Sequence, residues 1–282
     1  MPTLSPRDIR RKMGSIRNIQ QICRAMRAVA AVRLRRAEER LNGARPYAEK
    51  MNELVARLAA AGASHPWLEP RPEVKNLGVV MISSDKGLCG SYNVNLIRAA
   101  EEATRVETPV SLAVLGRKVH DYFARRGYDV RSRLVPVGAE PEWAPVAEVA
   151  DAIGELYSTG AWDRVLLVST HFVSAARTRV QAAELLPVTA SAATEAGPDY
   201  IYEPASKALL ETLLPRYLRT RLYLATLEAA ASEHAARVIA MAAATDNAQE
   251  MLDELTLTFN KARQATITRE LTDIVGTAEA LR

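Results

Sequence analysis

The residues with chemical potential are few and widely spaced. The stretch "SSDKGLCGSYN" (83–93) sets Asp85, Lys86, Gly87 and Gly90 between an apolar run and a helix-like stretch. That is where a phosphate-binding loop would lie, with backbone N–H groups at a helix start. The spacing, however, is neither G-x-x-x-x-G-K-[ST] nor G-x-G-x-x-G. A tight strand-to-helix turn, with Gly87 and Gly90 supplying unusual backbone angles, accounts for the same residues. His65, His120, His171 and His234 share no motif spacing, and neither H-E-x-x-H nor G-x-S-x-G occurs. His234, in the helical stretch "SEHAARVIAM", reads as a solvated or core-satisfied side chain. Cys23 and Cys89 lack a C-x-x-C partner and read as semi-buried thiols in a reducing compartment. No group of residues points to a catalytic centre, a cofactor or a metal.

Charge is more informative. Residues 1–60 carry fourteen Lys or Arg and five acids, so this segment is +9 while the rest of the chain is −5. Such concentration implies an acidic partner: nucleic acid, anionic lipid or an acidic protein surface. A basic coiled coil that binds nucleic acid is one reading. Against it, Tyr47 is the sole aromatic of the basic segment, and no nucleic-acid motif is present. No run of 18 uncharged apolar residues occurs. The first thirty residues lack the h-region of a secretory signal.

The elements that would position these residues form three zones. From Ile9, positions spaced 4,3,4,3 are Ile9, Met13, Ile16, Gln20, Cys23, Arg27, Ala30, Leu34, Ala37, Leu41, Ala44, Ala48, Met51, Val55 and Leu58. All but Gln20 and Arg27 are apolar or Cys, a coiled-coil seam. The helix would start at Ser5-Pro6, run about 80–90 Å and kink at Pro46. From about His65 the period changes. Apolar runs at 76–84, 110–116, 163–170 and 182–188, with a further candidate at 129–137, read as strands. Helix-like stretches at 93–106, 117–127 and 144–160 lie between them, giving an α/β sheet. From about Ser206 the chain reads as one helix of about 110 Å. Its seam residues are Leu252, Leu255, Phe259 and Ala262, then Ile267, Leu271, Ile274, Ala278 and Leu281. The expected fold is α/β plus long helices: an antiparallel two-stranded coiled coil of N- and C-terminal helices (1–64 and 205–282) with an inserted Rossmann-like α/β domain (65–204).

The stretch "QQICRAMRAVAAVRLRRAEER" (20–40) combines small residues with arginines on every side. Ala25, Ala28, Ala30, Ala31 and Ala37 permit close helix approach. The arginines keep the pair wet. Exposed charge contacts are worth roughly 0–1 kcal/mol each, small enough to break and remake. These properties suit a shaft inside a sleeve.

At this point the residues resemble a known family. "IRRKMGSIRNIQQICRAMRAVAAVRLRRA", "SSDKGLCGSYN", "YIYEPASKALLETLLPRYL", "SEHAARVIAMAAATDNA" and "FNKARQATITRELTDIVGTAEAL" resemble, in order, segments of the gamma subunit of F-type ATP synthase. The likeness covers nearly the whole chain. It implies a central rotor that holds no nucleotide and no cofactor, a non-catalytic subunit of an enzyme complex. Its implied partners are the alpha and beta subunits, epsilon and the membrane c ring, one copy per alpha3-beta3 hexamer. It would lie at the cytoplasmic face of a bacterial plasma membrane, associated only through the complex, and bind no nucleic acid. By motif, Met26 would face an acidic lever loop of beta, and Arg33, Arg35 and Arg36 would meet the same loops. Arg263, Gln264, Thr268 and Glu270 would hydrogen-bond with the sleeve. Asp85, Lys86, Gly87 and Gly90 would form a turn toward epsilon, the c ring or beta. Departures are Val32, where relatives carry Ser or Thr, and Cys23 and Arg24, where Thr and Lys are frequent. The lack of a removable leader favours a bacterial source.

Overall fold

The computed structural model describes residues 5–60, 64–188 and 206–280. The expected boundary at 204/205, the first residues of the motif at 200–218, and the seam position Leu281 lie outside them. Ten elements follow in order: α1 (Pro6–Ala60), β1 (Leu77–Ile82), α2 (Tyr92–Thr104), β2 (Val110–Leu115), α3 (Arg117–Ala124), β3 (Asp129–Leu134), α4 (Trp143–Ser158), β4 (Arg164–Ser174), β5 (Arg177–Leu186) and α5 (Ser206–Ala280). Every predicted strand and helix is present. β4 and β5 are longer than their apolar cores because they continue into a hairpin.

α1 begins where the sequence places its cap: Asp8 N–H donates to the Ser5 hydroxyl oxygen at 3.2 Å. The helix runs on through Pro46, and α5 through Pro215. Of the fifteen seam positions on α1, twelve are buried, and Leu34 and Ala44 are half-buried. Arg27 is the exception. It is exposed, while Met26, three residues after Cys23, is half-buried. The strict repeat slips there by one residue because a guanidinium cannot be desolvated cheaply without a partner.

The chain divides into two units, residues 30–237 and residues 1–29 with 238–282. In the larger unit the sheet order is β3-β2-β1-β4-β5. β1 pairs in parallel with β2 and β4, and β2 with β3, while β5 is antiparallel to β4. β1 is buried along its whole length, as a central parallel strand covered on both faces must be. Its side chains alternate between two cores. Leu77, Val79 and Met81 meet Leu96 and Ala100 of α2 and Val119 and Phe123 of α3. Val80 and Ile82 face the other way, into a core with Val146, Ala150 and Ile153 of α4, Val55 and Leu58 of α1, and Leu214, Leu218 and Leu222 of α5. Each such aliphatic side chain contributes about 1.5–3 kcal/mol through burial. A third cluster joins Ala37 and Leu41 to Leu227, Ala231 and Ala235; its small residues suit closely packed helices. Gly116, at φ 100°, carries the chain from β2 into α3. A Cβ there would lie 2.2 Å from the Ser83 carbonyl oxygen.

In the smaller unit, Ile9, Met13 and Ile16 pack with Ala248, Leu252, Leu255, Phe259 and Ala262. The Arg10 guanidinium lies 5.2 Å from the Phe259 ring. Ten residues further along α1, Gln20 Nε2 donates to Gln249 Oε1 at 3.1 Å and approaches the Thr245 carbonyl oxygen at 3.4 Å. Advancing along α1 therefore retreats along α5, and the pair is antiparallel. The Gln20 amide also explains how a polar residue occupies the seam: its donors are satisfied. The register carries α5 past the start of α1. Ile267, Leu271 and Ile274 are 47%, 57% and 63% exposed, and Ala278 is exposed as well. These positions were expected in the buried seam. They keep the apolar spacing but have no α1 segment opposite them.

Candidate partner-contact surfaces

In the smaller unit the predicted contact residues occupy two stretches. Met26 sits half-buried on α1. Arg263, Gln264, Thr268 and Glu270 are exposed on α5, and among the described residues none of their side chains is hydrogen-bonded or ion-paired. Thr268 stands apart from the threonines around it. Thr245, Thr256, Thr258, Thr266, Thr272 and Thr277 all return their hydroxyls to the carbonyl four residues earlier, at 2.7–3.0 Å. Thr268 makes no such bond among the described residues, so its hydroxyl is available outward.

In the larger unit, Arg33, Arg35 and Arg36 are exposed. Arg35 pairs with Glu39 at 3.3 Å, one helical turn on. Arg36 and Arg40 hold Glu140 from both sides, at 3.4 and 2.6 Å. Arg33 has no ion pair among the described residues.

The 83–93 turn is built by its own polar groups. Ser84 Oγ donates to the Lys86 carbonyl at 2.6 Å. Asn93 accepts the Ser84 N–H at 3.3 Å and donates to Cys89 Sγ at 3.2 Å. Asp85 fixes the turn to two other segments, accepting the backbone N–H of Arg117 at 3.0 Å and of Gly138 at 2.9 Å. A carboxylate thus already occupies the start of α3, where helix polarity favours one. The left-handed backbone falls at Leu88 (φ 61°) and Gly90 (φ 57°). Gly87, expected to supply one of these angles, does not, and the exposed Leu88 carries the strain instead. Burial pushes the Cys89 thiol up, with Arg237 pulling the other way, which favours the protonated thiol.

Behind the turn lies a cluster that motif reading did not single out. Arg237, 8% exposed, donates to the Gly87 carbonyl at 3.1 Å and to Glu233 Oε1 at 2.5 Å. Its other terminal nitrogen lies 3.2 Å from His234 Nδ1. A guanidinium only donates, so Nδ1 accepts, and Nε2–H donates to the Ala139 carbonyl at 3.3 Å. The imidazole is therefore neutral. Burial lowers its pKa, the Ala139 carbonyl opposes that, and Arg237 and Arg33 add to the lowering. Burial raises the Glu233 carboxyl, against the pull of Arg237. The i,i+4 pairing of Glu233 with Arg237 was visible in the sequence; the contact with a turn 150 residues away was not. The other histidines are also engaged: Nδ1 of His65 accepts the Trp67 N–H, and His120 and His171 lie 3.2 and 2.8 Å from Asp121 and Glu228. Among the described residues no three His, Cys, Asp or Glu side chains could hold a metal ion together. No described helix is long and apolar enough to cross a membrane.

The family model for ATP synthase matches residues 5–281. The ATP synthase gamma chain of Desulforamulus reducens is 45% identical, over 98% of this chain and 99% of its own length. That of Pelotomaculum thermopropionicum is 42% identical over the whole of both. The chain belongs to the ATP synthase gamma chain family. Among solved structures, the central stalk and c ring of Tetrahymena thermophila mitochondrial ATP synthase contain a chain of like fold, with a TM-score of 0.61 and 25% identity. The likeness spans 79% of this chain and 99% of that one. A chain of the Euglena gracilis mitochondrial enzyme matches with a TM-score of 0.70 and 20% identity, over 98% and 94% of the two chains. These likenesses bear out the fold of long helices around an α/β sheet, and they give the nucleic-acid reading no support. In this member of the gamma-chain family the predicted contact residues fall on three stretches, the exposed part of α5, the arginines of α1 and the 83–93 turn, and Arg33 shares a cavity with Asp85 and Lys86 of the turn.

Proposed function

We propose that this chain is the central rotor of an F-type ATP synthase. Its terminal helices turn within a sleeve of alternating alpha and beta subunits, and its α/β domain engages epsilon and the membrane c ring. One copy serves each alpha3-beta3 hexamer at the cytoplasmic face of the membrane. Ion flow turns the ring and this chain with it, and the chain's asymmetry drives the beta sites through binding, synthesis and release. The working division is 1–64 and 205–282 for the helical part and 65–204 for the α/β domain.

The observation that carries this reading is the exposed stripe Ile267, Leu271 and Ile274 on a stretch of α5 with no α1 segment opposite it. Apolar side chains at heptad spacing on a solvated helix are a surface waiting to be enclosed. Around them, Arg263, Gln264, Thr268 and Glu270 have uncommitted polar groups to offer the enclosing wall. Arg33, Arg35 and Arg36 supply charge for acidic loops, Met26 an adaptable apolar contact, and Asp85, Lys86, Gly87 and Gly90 the turn at the domain surface.

Reconstitution tests this. Mixed with purified alpha and beta, the chain should copurify with one copy per three betas and support ATP hydrolysis by the complex. A chain that elutes alone at moderate salt, with alpha and beta assembling without it, defeats the proposal.

A further inference from the structure

The larger unit contains a cavity of about 320 Å³, at the small end of the roughly 300–1,000 Å³ typical of small-molecule sites. Its charged lining comes from four elements: Arg33 of α1, Asp85 and Lys86 of the 83–93 turn, Arg117 of α3, and Glu233 and Arg237 of α5. We propose that this cavity binds a phosphoryl anion, inorganic phosphate or pyrophosphate.

Both oxygens of Asp85 are taken by backbone N–H groups, of Arg117 and Gly138. Glu233 is held by Arg237. That leaves Arg33, Lys86 and Arg117, none of which is within ion-pairing distance of a carboxylate among the described residues. Four cations thus face two carboxylates in one cavity, leaving its lining net positive, and these three have no ion pair of their own among the described residues. Such a wall concentrates anions, and it favours a ligand with more than one negative charge over a single carboxylate. Two of the three are guanidinium groups, whose planar paired donors match phosphate oxygens. His234 also lines the cavity, but with both ring nitrogens engaged by Arg237 and Ala139 it is spent as a wall group. The start of α3 is likewise capped by Asp85, so recognition rests on side chains and not on helix N–H groups. The inference does not depend on the rotor reading, which copurification with alpha and beta tests separately.

The experiment is calorimetric titration of the full chain at low ionic strength with inorganic phosphate and with pyrophosphate, with sodium chloride at matched ionic strength as control. Saturable one-to-one binding of at least one phosphoryl anion is expected, with the two arms showing whether one or two phosphoryl groups are read. Binding should weaken at least tenfold in Arg33→Ala/Arg117→Ala and at least threefold in Lys86→Ala, a change on an exposed turn that serves if the double variant misfolds. Arg179→Ala, removing an exposed cation on β5, should leave it unchanged. Absence of saturable binding by either anion overturns the proposal. So does equal affinity in the lining variants and wild type. An acidic peptide that displaces phosphate and binds tenfold tighter would show a seat for carboxylates and overturn it too.

Discussion

The Arg237 guanidinium donates to the carbonyl oxygen of Gly87 at 3.1 Å, tying a helix to a turn 150 residues away in sequence. The same side chain neutralises Glu233 and fixes the tautomer of His234. Removing it leaves a buried carboxyl and a backbone carbonyl without their donor. Arg237→Ala should cost about 2 kcal/mol or more, since hydrogen bonds from charged groups are worth about 1.5–3 kcal/mol. It should also speed amide exchange across residues 85–90. Urea unfolding and hydrogen exchange check both; protection unchanged at the turn would mean the bond is incidental.

His234 gives the cluster a pH response of known sign. Burial holds its pKa below the ordinary 6.5, so protons bind the unfolded chain more readily. Its contribution to stability is complete above about pH 6.5 and is lost as the pH falls toward the lowered value. Glu233, with a raised pKa, acts in the opposite direction, losing stability as pH rises above its ordinary value. Comparing wild type with His234→Gln isolates the histidine. The wild type should lose ground to the variant between pH 6.5 and 5, and the difference between them should be flat from pH 7 to 8, as measured by urea midpoints.

Asp163 should act at lower pH. Burial alone would raise its carboxyl, but the Arg71 guanidinium at 2.7 Å and the N–H groups of Lys75 and Asn76, each at 2.9 Å, outweigh that and lower it. Its contribution is complete above the ordinary carboxylate value and lost as pH falls through the lowered one. Asp163→Asn should cost about 1.5–3 kcal/mol at neutral pH, and the gap should narrow below about pH 4. A pH-independent difference would assign the loss to shape and not to charge.

The exposed end of α5 separates folding from assembly. Leu271→Gln and Ile274→Gln remove apolar surface that is already wet, so the isolated chain should unfold within about 0.5 kcal/mol of wild type. In pull-down with alpha and beta the double variant should bind at least fivefold less tightly. Equal binding would mean the stripe is not enclosed.

The seam on α1 was readable because burial repeats with the helix. Its slip at Met26 and Arg27 was hidden in a one-residue choice that only desolvation decides. Strands were readable from apolar runs, whereas the order β3-β2-β1-β4-β5 depends on pairings that no run encodes. Periodicity at Ile267, Leu271 and Ile274 marked an apolar face correctly but could not say whether this chain covers it. The grip of Arg36 and Arg40 on Glu140, and of Arg237 on Gly87, spans a hundred residues or more and leaves no local signal. Leu88 in a left-handed conformation was hidden for a different reason: Gly87 and Gly90 beside it are the residue types that usually take that role.

Between Thr256 and Thr277 of α5, five threonines spend their hydroxyl protons on their own helix. A hydroxyl has one proton to give. Anything sliding across this stretch therefore meets oxygen lone pairs and methyl groups but, at those five places, no donor to catch on. Among the threonines of this stretch Thr268 alone keeps its proton to offer, beside the donors of Arg263 and Gln264.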